Sequence, residues 1–160
     1  GEARPIHVEL HDGRKFDVTA ILATERSQDL AVLKIDAKDL DALPLGNSDE
    51  LQDGQPVMAI GNPAGLERSV VAGVLSGRRE IEGRAMLQVA LPIERGNSGG
   101  PLLDMRGQVH GLLTLKSLKT ENLGFAVPAN ALKPLLVKPN PIPMSRWLTI
   151  GVLDPEEWTV

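Results

Sequence analysis

The chain has 160 residues, 42% hydrophobic and 24% charged, the balance expected of one globular domain large enough to bury a core. Its net charge of −4 gives no reason to expect nucleic acid or an anionic membrane as partner, and the lack of cysteine excludes disulfides, thiolate catalysis and the common structural zinc sites. No apolar run approaches the roughly 18 residues of a membrane span, and Gly1-Glu-Ala-Arg-Pro5 reads as an internal start without a signal peptide.

In chain order, "IHVEL" (6–10) alternates apolar and polar residues and runs into an Asp12-Gly13 hairpin signal. Further strands are expected over 16–23, 30–35, 56–61, 69–77, 85–91, 108–115 and 123–128, each aliphatic and bounded by Gly, Pro, Asn or Asp. Aromatics are confined to Phe16, Phe125, Trp147 and Trp158, so the core must be Val, Leu, Ile and Ala. Short strands at this spacing predict an all-β sandwich or barrel. One helix is expected over 128–137, with Asn130 as N-cap and Pro134 limiting its length. Pro134, Pro139, Pro141 and Pro143 then predict a stiff extended linker, and 145–154 one more strand.

"ERGNSGGPLLD" (94–104) places three glycines around one serine. Such a cluster is ordinarily a turn. The sharper reading is a hydroxyl held on a tight bend, beside converging backbone N–H groups.

The order of motifs favours the sharper reading. "SQDLAVLKID", "ALPLGNSDELQDGQPVMAIGNPAGLERSVVAGVLSG", "LQVALPIERGNSGGPLLDMRGQVHGLLT" and "NLGFAVPAN" together resemble the HtrA (Deg) family of trypsin-like serine proteases. The resemblance implies two six-stranded β-barrels with the catalytic site in the cleft between them. Residues 1–45 would be the remainder of the first barrel, 46–133 the complete second barrel, and 134–160 a Pro-rich linker and terminal strand. By resemblance Ser98 is the nucleophile and Asp29 the carboxylate that orients the histidine. Gly96, Asn97 and Ser98 would form the oxyanion hole, and Ile93, Leu113, Thr114 and Leu115 an aliphatic substrate pocket. No metal or cofactor is implied.

The general base is where the pattern departs. Only His7, His11 and His110 are present, and none occupies the family's Thr-Asn-x-His-Val-Val-like block. His7 and His11 fall in or after a later strand, and His110 reads as a packed or edge-facing strand residue. The fragment is therefore expected to be nearly inert. "VALPIER" (Val89 to Arg95) and Gly111-Leu112-Leu113-Thr114 also differ from the family's Thr-Asp-Ala-Ala-Ile-Asn and Gly-Ile-Asn-Thr. Three classes of function stay open: an endopeptidase domain whose base lies upstream, a pseudoprotease that binds peptides, and a structural β-domain. The resemblance further implies unfolded protein or peptide substrates and a bacterial envelope or periplasmic setting. It also implies homo-oligomers built through other segments, and a PDZ domain that "RWLTIGVLD" faintly resembles.

Overall fold

Alternation of apolar and polar residues makes the first strands one-faced. In a computed structural model, which describes residues 6–61, 69–93, 96–116 and 123–144, β1 (His7–Glu9), β2 (Lys15–Glu25) and β3 (Leu30–Ile35) pair antiparallel in the order β1-β2-β3. The Asp-Gly signal is met at the first hairpin. Asp12 Oδ1 accepts Arg14 N–H at 3.0 Å, and Gly13 takes φ 83, which a side chain would oppose. Val18, Ile21 and Ala23 of β2 are buried, while Lys15, Asp17 and Thr19 stay exposed. These strands form one compact unit with the described residues from Pro134 onward; residues 42–133 form a second.

The second unit is a closed barrel. β4 (Pro56–Gly61), β5 (Ser69–Ile81), β6 (Arg84–Ala90), β7 (Pro101–Asp104), β8 (Val109–Lys116) and β9 (Gly124–Pro128) run in the order β4-β5-β6-β9-β8-β7, and β7 pairs back onto β4. Its core is aliphatic, as the composition required. Leu75, Leu87, Val89, Leu102 and Leu113 are almost fully buried, each stabilising by about 1.5–3 kcal/mol on transfer from water. Ala126 pairs with both Leu87 and Leu113, so one small residue makes room for two large ones across neighbouring strands. Among the described residues the all-β architecture thus has a closed barrel whose strands run from Pro56 to Pro128, and a three-stranded sheet earlier in the chain.

Two local expectations are changed in the folded chain. β5 continues past Gly77 through Arg78-Arg79-Glu80-Ile81, because β6 supplies the hydrogen bonds and Glu82-Gly83 turns with φ 51 and 74. Such a charged run carries no strand signal of its own. Asn130 is not the N-cap, since the helix α1 spans Ala129–Val137 and Asn130 lies in its first turn. Its N–H is donated to Ser48 Oγ at 3.2 Å and its Nδ2 to Asn47 Oδ1 at 2.8 Å. Pro134 sits inside the helix without ending it.

The segment after the helix is fastened to its own unit. Asn140 Nδ2 donates to Thr24 O at 3.0 Å, its Oδ1 accepts Thr24 N–H at 2.9 Å, and Ile142 bridges Ile21. The strand expected over 145–154, with its PDZ-like resemblance, lies outside the described residues.

Candidate active site

The Gly96–Gly100 stretch is a bend built from glycine geometry. Gly96 and Gly99 take φ 96 and 81, in the left-handed region that disfavours side chains. Gly99 N–H is donated to Leu113 O at 2.7 Å and Gly100 N–H to Asn97 O at 2.9 Å. Those two donors are spent inside the barrel. Leu113 N–H returns to Gly100 O at 2.9 Å, so the bend is stitched to Leu113 of β8 through both its C=O and its N–H. Ser98 is exposed at its crest, with its hydroxyl donating to Thr114 O at 3.3 Å. A reactive carbonyl would need that hydroxyl freed and a base to receive its proton.

Asn97 behaves oppositely. It is 2% exposed, and its Oδ1 has no hydrogen-bond partner among the described residues. A buried acceptor left unpaired costs about 1–3 kcal/mol. Its neighbour Gly61, at the end of β4, has no side chain because a Cβ there would overlap Asn97 Oδ1. Gly100 is similarly constrained: a Cβ would fall 2.5 Å from Ile60 O and 2.8 Å from Asn97 O. The sequence marked Gly61 only as a strand terminus in "AIGNP"; its complement is 36 residues away and shows only in three dimensions.

The expected pocket residues divide by burial. Ile93 and Leu113 are 3% and 1% exposed and belong to the barrel core. A Cβ on Gly124 would overlap Ile93 Cδ1, so β9 is cut away to seat that side chain. Thr114 is half-buried beside the Ser98 hydroxyl, and Leu115 follows in β8.

Asp29 lies in the first unit, just before β3. It closes the short 3-10 turn Arg26–Gln28, with φ 56 and its N–H donated to Arg26 O at 3.2 Å. Glu25 caps the other end by accepting from Ser27 N–H and Ser27 Oγ. The side chain of Asp29 is exposed.

Residues 2–112 match the trypsin-like peptidase domain. The chain belongs to the trypsin-like serine peptidases of the HtrA/Deg group. It is 44% identical over 136 residues to a probable periplasmic serine endoprotease DegP-like of Chlamydia muridarum, covering 80% of this chain and 27% of that protein. Among solved structures, the HtrA-type protease AlgW with a decapeptide superposes with TM-score 0.76 at 34% identity, over 85% of this chain and 45% of that one. A serine endoprotease from Yersinia pestis gives TM-score 0.75 at 34% identity, over 86% and 49%. The chain thus spans about a quarter to a half of the length of these relatives.

Within this HtrA-type domain the three histidines are otherwise engaged. His7 Nδ1 pairs with Asp17 Oδ1 at 2.6 Å on the exposed face of β1–β2, and His11 sits in the first hairpin. His110 is 3% exposed, with Nδ1 at 3.2 Å from Asn47 O and Nε2 at 3.2 Å from Asp104 Oδ2. Its ring is committed on both sides. Burial alone raises the Asp104 carboxyl, but the N–H groups of Gln108 and Arg106, the His110 ring and the Arg106 guanidinium reverse this and hold it at about 2. Among the described residues, no group of His, Asp and Glu side chains could hold a metal ion.

Proposed function

We propose that this chain carries the nucleophile and oxyanion-binding parts of a serine endopeptidase that cleaves unfolded proteins or peptides through an acyl-enzyme. The observation that supports it most is an exposed Ser98 set between two left-handed glycines, on a bend whose Gly99 and Gly100 N–H groups are already bonded. The N–H groups of Gly96 and Ser98 are then the donors for the carbonyl oxygen as it gains charge. Ser98 Oγ leaves Thr114 O, attacks the carbonyl carbon and gives its proton to a histidine. That base is supplied by residues outside this sequence, and Asp29 orients it and stabilises its cation. The base returns the proton to the leaving amine, and water resolves the ester by the reverse route. We assign the P1 pocket to β8 at Thr114 and Leu115, with the core residues Ile93 and Leu113 beneath it, and expect it to favour small aliphatic residues.

Without the base the 160 residues alone should react near background. The setting we assign is the bacterial cell envelope, in keeping with relatives named periplasmic. Oligomerisation and a following PDZ domain belong to the same proposal. A second reading, a binding module without turnover, is favoured by the Ser98 hydroxyl resting on Thr114 O and by His110 being committed elsewhere.

Labelling with a fluorophosphonate separates the two. A longer chain carrying the upstream residues should label at Ser98 and degrade casein, and Ser98→Ala should abolish both. Casein turnover that survives Ser98→Ala would remove Ser98 from the mechanism. A longer chain that binds peptide but never labels would leave the binding module standing.

A further inference from the structure

We infer that Asn97 is a positioning residue, seated in a socket that Gly61 leaves open at the end of β4. The inference rests on the proposed nucleophile role of Ser98 and adds what holds that nucleophile's bend in place. Asn97 lies between Gly96 and Ser98, whose N–H groups are the proposed oxyanion donors; its seating sets the plane of the Asn97–Ser98 peptide, which carries the Ser98 N–H, and fixes where Gly96 enters the bend. Asn97 is 2% exposed, yet its Oδ1 meets no donor among the described residues. Bonding at that oxygen therefore does not seat it.

The shape is specific. A Cβ on Gly61 would overlap Asn97 Oδ1, and would lie 2.9 Å from Asn97 Cγ and 3.0 Å from its Cα. Real Cβ atoms do not approach backbone or side chain so closely, so only glycine at 61 admits Asn97 in this pose. The adjacent pair repeats the arrangement: Gly100 lies against Ile60 O, and Gly100 N–H is donated to Asn97 O at 2.9 Å. Ile60 and Gly61 thus form a template on which residues 97 and 100 rest, one on each side of Ser98-Gly99. β4 is itself fixed within the closed barrel by β5 and β7, so the template is rigid. The bend inherits that rigidity.

The test uses the full-length protein with Gly61→Ala, Asn97→Ala and both together. Gly61→Ala should lower the urea midpoint, Asn97→Ala should leave it nearly unchanged, and the double variant should recover most of the way to the Asn97→Ala value, because the overlapping Oδ1 and Cγ are gone while the Asn97 Cα stays 3.0 Å from the new methyl. Amide hydrogen exchange across residues 96–100 should quicken in all three. Asn97→Ala and the double variant should lower kcat roughly 10–100-fold while KM stays within about twofold, since the loss is of orientation and not of substrate binding. Recovery of stability without recovery of kcat is what a merely structural contact would not give. Additive midpoint shifts would overturn the socket. Unchanged kcat, or unchanged exchange across 96–100, in Asn97→Ala would overturn the positioning role. If the full-length protein itself shows no turnover, the proposed peptidase activity fails, and the midpoint coupling and the exchange rates still decide whether Asn97 is seated by Gly61 and holds the bend.

Discussion

His110 Nε2 lies 3.2 Å from Asp104 Oδ2, and the two side chains are only 4% and 2% exposed. The carboxylate is the hub of the β7–β8 hairpin. Its Oδ1 accepts Arg106 N–H and Gln108 N–H, each at 2.9 Å, and its Oδ2 faces Arg106 Nε at 3.3 Å as well as the imidazole. Four donors on one buried anion explain why its pKa falls to about 2 although burial works the other way.

That depressed value makes a pH prediction. The unfolded carboxyl titrates near 3.8 and the folded one at about 2, so the unfolded state binds the proton more readily between them. The stabilisation is complete above about pH 4 and is lost progressively as pH falls toward about 2. Urea midpoints of the wild type should therefore decline across that window, and Asp104→Asn should remove most of this decline. At pH 7 the same substitution should destabilise by about 1–3 kcal/mol, because the new NH2 confronts donors. An unchanged acid profile in Asp104→Asn would show that other carboxylates set it.

The imidazole has a second close neighbour. A Cβ on Gly46 would lie 2.7 Å from both Cε1 and Nε2 of His110. Gly46→Ala should cost about 1–3 kcal/mol of unfolding free energy by overpacking. His110→Ala should cost about 2–4 kcal/mol through the cavity and the stranded carboxylate. Together they should cost clearly less than their sum, since the added methyl then occupies vacated space. Additivity in denaturant unfolding would contradict this packing.

Asp29 offers a separation of backbone from carboxylate. At φ 56 an alanine costs about 1–2 kcal/mol, whereas asparagine and glycine tolerate the conformation. Asp29→Asn should unfold like the wild type, yet in a longer chain with its histidine it should lower kcat by about 10³–10⁴-fold. Asp29→Ala should fail on both measures. If Asp29→Asn keeps full turnover, the residue is a turn cap and nothing more.

Ile93 and Gly124 make the fourth case. Gly124→Ala would drive a methyl into Ile93 Cδ1, and a stability loss of about 1–3 kcal/mol is expected. Trimming the partner in Gly124→Ala/Ile93→Val should restore part of it. If Ile93 shapes the P1 pocket, cleavage sites mapped in denatured casein by mass spectrometry should shift from Val, Ile and Leu toward Ala in Gly124→Ala. An unchanged site profile would confine Ile93 to the core.

Local chemistry made much of this protein legible as sequence. Strand cores such as Leu30–Ile35 and Pro56–Gly61 were marked by aliphatic runs between turn residues, and the Gly96–Gly100 bend by glycines that tolerate left-handed angles. The four motif blocks carried the family. Contacts between distant residues carried the rest, and no local pattern encodes them. Arg78 Nη2 reached Ser48 O and Leu51 O from 30 and 27 residues away, and Ser48 accepted the Asn130 N–H from 82 residues away. Ile93 and Leu113, legible only as apolar, were packed into the core by barrel closure. Asn140 met Thr24 and Gly61 met Asn97 for the same reason. A residue's backbone preference depends on its own side chain and immediate neighbours, whereas the partner it packs against is fixed only when the strands close.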